Sequence, residues 1–175
     1  MELVFDKNYV FDMYVNPFNI KKDNEITIMR KAPDNILILD MASFFYDSDK
    51  DQLQLELTSD DENFSKQFKE DQTYRLSIES DMQNPGISSS FSSGYGLFTF
   101  AEIDNSDDSI TLIQNNPDES VLRSLFTDLL RLAHNLYDYK EGTITIKLER
   151  FMAGCDTKWL SYNKKESNTI KLERI

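Results

Sequence analysis

The sequence predicts a single α+β domain over residues 1–175, a mostly antiparallel sheet with one long amphipathic helix and one short helix packed on it. Three observations carry this. Apolar residues alternate with polar ones in run after run, the period of a strand with one dry face. Only two stretches show helical spacing, whereas a doubly wound parallel sheet needs a helix after nearly every strand. No linker-like composition divides the 175 residues, a length that suits one core better than two.

Among the strands, Ile26 and Ile28 alternate with Glu25, Thr27 and Met29. The run ILILDMASFFY (36–46) is more uniformly apolar and predicts a central strand. Leu53, Leu55 and Leu57 form one dry face, and Tyr74, Leu76 and Ile78 another. Residues 97–103 and 109–114 flank the polar turn DNSDD. After the long helix come GTITIKLER (142–150), a loop through FMAGCDTKWL (151–160) and a final strand.

The hexapeptide TIKLER occurs twice, at 145–150 and 169–174. In both copies Ile and Leu face one way and Thr, Lys and Glu the other, as in a half-buried strand. Pairing Ile146 with Leu172 sets Lys147 against Lys171, and pairing Leu148 with Leu172 sets Arg174 against Ile146. Neither register is clean. The copies read as two scaffold strands that are not neighbours throughout, and the absence of a third copy argues against a repeat architecture.

The short helix is expected over about Asp60 to Glu70, because Ser59 and Glu62 match a capping box and Phe64 and Phe68 share a face at i, i+4. For the long helix, Asn116 supplies a cap, Pro117 suits the first turn, and Asp118 and Glu119 favour the positive end of the dipole. Leu122, Leu125, Phe126, Leu129, Leu130, Ala133, Leu136 and Tyr137 then mark an apolar stripe of about five turns.

Net charge is −12, and it is unevenly placed. Residues 41–120 hold 17 acids against 4 bases, a net of −13, while the remainder sums to +1. Such a field draws a basic partner and repels nucleic acid, whose phosphates need the lysines and arginines missing here. Direct nucleic-acid binding is not expected. The chain opens MELVFDKNYV, without the basic-then-apolar order of a secretory leader, and Ile36–Leu39 is too short to span a bilayer. A single cysteine, Cys155, allows no internal disulfide. A cytoplasmic protein without membrane contact is expected.

The chemical motifs fail on composition. NPGISSSFSSGYG (84–96) reads as a Ser/Gly loop, yet it holds no phosphate-binding GxxxxGK[ST] and no GxSxG. No lysine or arginine lies between Arg75 and Arg123. Asp47, Asp49 and Asp51 imitate the start of a calcium loop, but Gln52 stands where Gly is needed and Thr58 where Glu is needed. One histidine, His134, and Cys155 cannot supply a zinc site, and nothing brings them together as a nucleophilic pair. No cofactor, metal or catalytic residue is expected. What remains is recognition: Phe91 and Tyr95 as aromatic anchors on an adaptable loop, with Asp47, Asp49, Asp51, Asp104, Asp107 and Asp108 as an acidic rim if both polar turns project from one end of the sheet.

An acidic, single-domain α+β chain of this length, with the 41–120 acidic block and the aromatic Ser/Gly stretch, resembles the immunity proteins of bacterial contact-dependent growth-inhibition systems. The resemblance lies in general character and includes no diagnostic motif. It implies a non-enzymatic cytoplasmic protein that binds a cognate basic toxin, often a nuclease, and occludes its active site. Two other classes are open to the sequence: a small hydrolase using scattered carboxylates or a metal, and an adaptor subunit of a larger assembly.

Overall fold

The computed structural model describes residues 2–6, 8–30, 39–106, 108–151, 160–162 and 170–172. Among these residues, up to residue 162, are ten strands and one α-helix: β1 (Glu2–Asp6), β2 (Tyr9–Tyr14), β3 (Asn24–Arg30), β4 (Met41–Asp47), β5 (Gln52–Thr58), β6 (Thr73–Asn84), β7 (Ile87–Asp104), β8 (Ser109–Asn115), α1 (Glu119–Asp138), β9 (Glu141–Phe151) and β10 (Leu160–Tyr162). A last strand, β11 (Ile170–Leu172), pairs with β10 as a separate two-stranded ribbon. The first nine strands form one antiparallel sheet in the order β1-β9-β6-β7-β8-β5-β4-β3-β2.

That order makes β1 and β2 opposite margins of the sheet, yet only residues 7 and 8 separate them in the chain. Nine strands laid flat would set their margins ~38 Å apart. Three Cα–Cα steps from Asp6 to Tyr9 reach at most ~11 Å. The sheet must therefore roll until its margins nearly meet, and the Phe5 and Tyr9 rings touch edge to face at 4.6 Å across the junction. Two bulges in β7 assist the curl by bending the strand and raising its twist. Tyr95 and Gly96 oppose the single residue Leu76, and Ala101 is the extra residue between Phe100 and Glu102. Gly96 supplies the positive φ, +90°, at the first.

The concave face is dry. Every one of the nine strands sends apolar side chains to it, among them Phe5, Tyr9, Ile26, Phe44, Leu55, Ile78, Phe98, Leu112 and Ile146. The turn joining β4 to β5 and the tip joining β6 to β7 lie at one end of the barrel. Helix α1 crosses that end. It starts where the Asn116 N–H donates to the Asp51 carbonyl and finishes where the Lys140 N–H donates to Asn84 Oδ1. Leu122, Leu125, Phe126, Leu129, Leu132, Ala133 and Leu136 point into the core. At the opposite end the 59–72 connection passes from β5 to β6, and Phe64, Phe68 and Tyr74 fill that mouth with ring centroids 5.4 Å apart in sequence.

Several expectations change. Residues 60–70 form no α-helix; only Ser65–Gln67 makes one 3₁₀ turn. Ser59 Oγ accepts from the N–H of Asp61, and Asp61 Oδ1 from that of Asn63, so short side chains close tight local turns in place of a helical ladder. The shared burial of Phe64 and Phe68 holds nonetheless. Helix α1 begins two residues later than Asn116 implies, with Asp118 at the cap, because Asn116 adopts φ 48°. Its stripe includes Leu132 and omits Tyr137, which is 63% exposed. The 84–96 stretch is no loop. Pro85 and Gly86 (φ 80°) make the turn, a pair suited to a type II turn, and Ile87 onward is strand.

β4 lies between β3 and β5, but it alternates, with Ala42, Phe44 and Tyr46 inward and Ser43 and Phe45 outward. Residues 36–38 of the expected strand lie outside the described residues. The TIKLER copies are not neighbours: the first runs within β9 between β1 and β6, and Ile170–Leu172 of the second pairs with β10. Thr169, Glu173, Arg174 and Cys155 lie outside the described residues.

Candidate partner-binding surface

The two acidic turns project from opposite ends of the barrel. Gln52 pairs with Asn115 and Thr58 with Ser109, so the β4–β5 turn sits at one end of β5 and the β7–β8 turn at the other, roughly 20 Å away. A single rim formed by both is ruled out by this register. Most of these aspartates also have local work. Asp47 Oδ1 accepts the N–H groups of Asp49 and Lys50, each at 3.1 Å, and Lys50 Nζ lies 3.6 Å from its other oxygen. Asp51 Oδ1 accepts from the Tyr46 hydroxyl at 2.6 Å and from Lys21 Nζ at 3.1 Å. The Tyr46 hydroxyl and Lys21 together hold the Asp51 carboxyl below its ordinary value. Burial, and then the bond to Asp51, push the Tyr46 phenol up to about 12. Asp104 Oδ1 accepts from the N–H and Oγ of Ser106. Asp108 takes φ 49° and its carbonyl accepts from the Ser59 N–H. Asp49 is exposed, and Asp107 lies outside the described residues.

Of the two predicted aromatic anchors, Tyr95 is closed off from solvent and Phe91 is half-buried. Tyr95 is 1% exposed, turned inward by the bulge, and donates to Asp128 Oδ2 at 2.7 Å. Phe91 faces the same interior side and carries the Arg131 guanidinium over its ring at 4.4 Å. Arg131 in turn lies 3.5 Å from Asp128.

The outward face of the other strands has a character that the chain order concealed. Cross-strand registers align Asp12, Thr27, Ser43, Glu56, Thr111 and Glu102 in one row. The next row is Tyr14, Glu25, Phe45, Gln54, Ile113 and Thr99, and the row on the other side is Val10, Met29, Met41, Thr58, Ser109 and Asp104. No lysine, arginine or histidine stands at any of these positions, while Asp12, Glu25, Glu56, Glu102 and Asp104 do. Half-buried Phe45 and Ile113 stand in the second of these rows. A depression of ≈ 250 Å³ opens there, lined by Glu25, Ser43, Phe45, Gln54 and Glu56. Sequence alone could flag these positions as outward by their alternation, but only strand order brings segments from residue 12 to residue 104 together.

Elsewhere the arrangement is ordinary. His134 is exposed on α1, 3.0 Å from Asp138. Among the described residues no group of three or more His, Cys, Asp or Glu side chains is placed to hold a metal ion. No helix among them is long and apolar enough to cross a membrane.

The fold and this face together define the class, a rolled antiparallel sheet plugged by one helix and carrying an acid-rich, base-free patch on one part of its convex surface. No protein-family model, curated protein or solved structure matches the chain.

Proposed function

We propose that this chain is a binding protein that neutralises a basic protein partner, in the manner of an immunity protein covering the active site of a cognate toxin nuclease. The observation that supports this most is the convex face spanning β2, β3, β4, β5, β8 and the end of β7, where five carboxylates share three rows with Phe45 and Ile113 and no base stands among them. A concentration of charge of one sign on a compact surface weakens the fold slightly and is useful for encounter with an oppositely charged partner. The docking surface is this face, in place of the β4–β5 turn, where Asp47 accepts from two backbone amides and Asp51 from Tyr46 and Lys21.

The test is genetic first and physical second. The product of the adjacent upstream gene should be toxic when expressed alone and harmless when this chain is co-expressed. The purified pair should associate more slowly as salt rises, since screening shortens the reach of surface charge. A harmless neighbour that does not bind the chain rejects the toxin reading. Tight binding whose rate ignores salt rejects the electrostatic one.

A further inference from the structure

We infer that the barrel mouth beside the 59–72 connection binds a small oxyanion, carboxylate or phosphate, carried on an aromatic ring. A depression of ≈ 270 Å³ opens there, lined among the described residues by Gln67, Phe68, Lys69, Tyr74, Leu148 and Arg150. Arg150 is the unexpected member. It continues the inward row Ile144, Ile146 and Leu148 of β9 and stands opposite buried Tyr74 on β6, where alternation calls for an apolar side chain. Its Nε donates to Gln72 Oε1, while its two terminal nitrogens have no hydrogen-bond or carboxylate partner among the described residues. The Lys69 ammonium has none either. Lys21, Arg30, Lys50, Arg123, Arg131 and Lys147, by contrast, each pair with a carboxylate. No acid is among the described residues that line this depression.

The lining is held in place before any ligand arrives. The Lys69 N–H donates to the Tyr74 hydroxyl at 3.3 Å, and the Gln72 N–H donates to the Lys69 carbonyl at 3.3 Å. One turn therefore carries both Lys69 and the glutamine that holds Arg150. Its acids, Glu70 and Asp71, are exposed, as is Glu149, and none of the three makes an ion pair with either base. With Nε committed to Gln72, the guanidinium keeps two terminal N–H groups for an oxyanion, and the ammonium adds a second positive charge. Buried Phe68 and Tyr74, with ring centroids 5.4 Å apart, supply the apolar side. A cavity of about 150 Å³ suffices for benzene, so ≈ 270 Å³ takes one ring with its oxyanion. The site belongs to β6, β9 and the 59–72 connection, which contribute nothing to the acidic rows, so it stands apart from the proposed function.

The test titrates the whole chain with phenyl phosphate and with benzoate, followed by amide and aromatic NMR shifts. Benzyl alcohol serves as the counterpart without charge, and inorganic phosphate as the one without a ring. Saturable shifts centred on the Phe68 and Tyr74 rings and the amides of Lys69 and Arg150 are expected from the aryl anions and not from benzyl alcohol. The tighter of the two identifies the oxyanion. The double variant K69Q/R150Q should weaken binding about tenfold, the scale of two exposed ion pairs. K22Q/K140Q, which removes equal charge from two exposed lysines that also lack ion pairs, should leave it within about twofold. Retained amide dispersion establishes that each fold is intact, and if K69Q/R150Q loses it, K69Q alone should still weaken binding about threefold. Equal weakening by both double variants, or equal binding of benzyl alcohol, overturns the oxyanion site. Inorganic phosphate binding as tightly as phenyl phosphate overturns the part given to the aromatic rings. No saturable response to either aryl anion overturns the site outright and leaves the basic-partner reading standing.

Discussion

Tyr95 and Asp128 meet at 2.7 Å between β7 and α1, a hydroxyl delivered inward by a bulge to a carboxylate on the helix that plugs the barrel. The contact explains why a Ser/Gly-rich stretch is ordered as strand. It is pinned at its middle by a buried ring and at its tip by Pro85 and Gly86.

Removing only the hydroxyl should therefore matter. Tyr95→Phe leaves the packing intact and strips a partner from a mostly covered carboxylate, an expected loss of about 1–3 kcal/mol. Tyr95→Ala also opens a cavity and should cost about 3–5 kcal/mol. Urea unfolding midpoints at neutral pH distinguish the two.

Alkaline pH should destabilise the fold through two phenols. Burial, and then the bonds to Asp51 and Asp128 respectively, raise Tyr46 to about 12 and lift Tyr95 above the ordinary tyrosine range. A folded-state value raised above the unfolded one near 10 means that this stabilisation is complete below about pH 10. It is lost as pH climbs through about 12, where the unfolded chain releases the protons first. A melting temperature that falls steeply above pH 10, with a shallower fall in the double variant Tyr46→Phe/Tyr95→Phe, is the expected result.

Gly142, near the start of β9, lies against Met82 of β6 and Leu136 of α1. A Cβ there would run into Met82 Sδ and lie 3.4 Å from Leu136 Cδ1, and Met82 is completely buried. Gly142→Ala should destabilise by about 1–3 kcal/mol, the range for overpacking a filled core. Gly86→Ala has open space around it and should lose only the strain of φ 80°, roughly 1 kcal/mol.

Much of the architecture was legible because period-2 burial is written directly into residues such as Leu53, Leu55 and Leu57. The long helix was legible because Leu122 to Leu136 repeats at helical spacing. Two things were not. Serines at 88–90 and 92–93 carry too little hydrophobicity to reveal alternation, so strand read as loop. And the Asp-rich turns looked functional in one dimension, although the register places them at opposite ends and the Asp47 and Asp104 carboxylates accept from backbone amides. The convex face escaped notice because its acids come from four strands, and sequence carries no statement of strand order.

The buried pair Phe64 and Phe68 offers a check on the barrel's second plug. Phe64→Ala should cost about 3–5 kcal/mol although no helix depends on it, so far-UV helicity should be unchanged while the urea midpoint falls.

The convex face itself is tested most directly by charge reversal during co-expression with the neighbouring gene's product. The triple variant Glu25→Lys/Glu56→Lys/Glu102→Lys should lose protection, because it sets three cations where a basic partner must dock. The triple variant Asp49→Lys/Asp81→Lys/Glu149→Lys changes net charge equally at exposed positions off that face and should protect as the parent chain does. Equal protection by both triple variants, with both folded, would contradict the account.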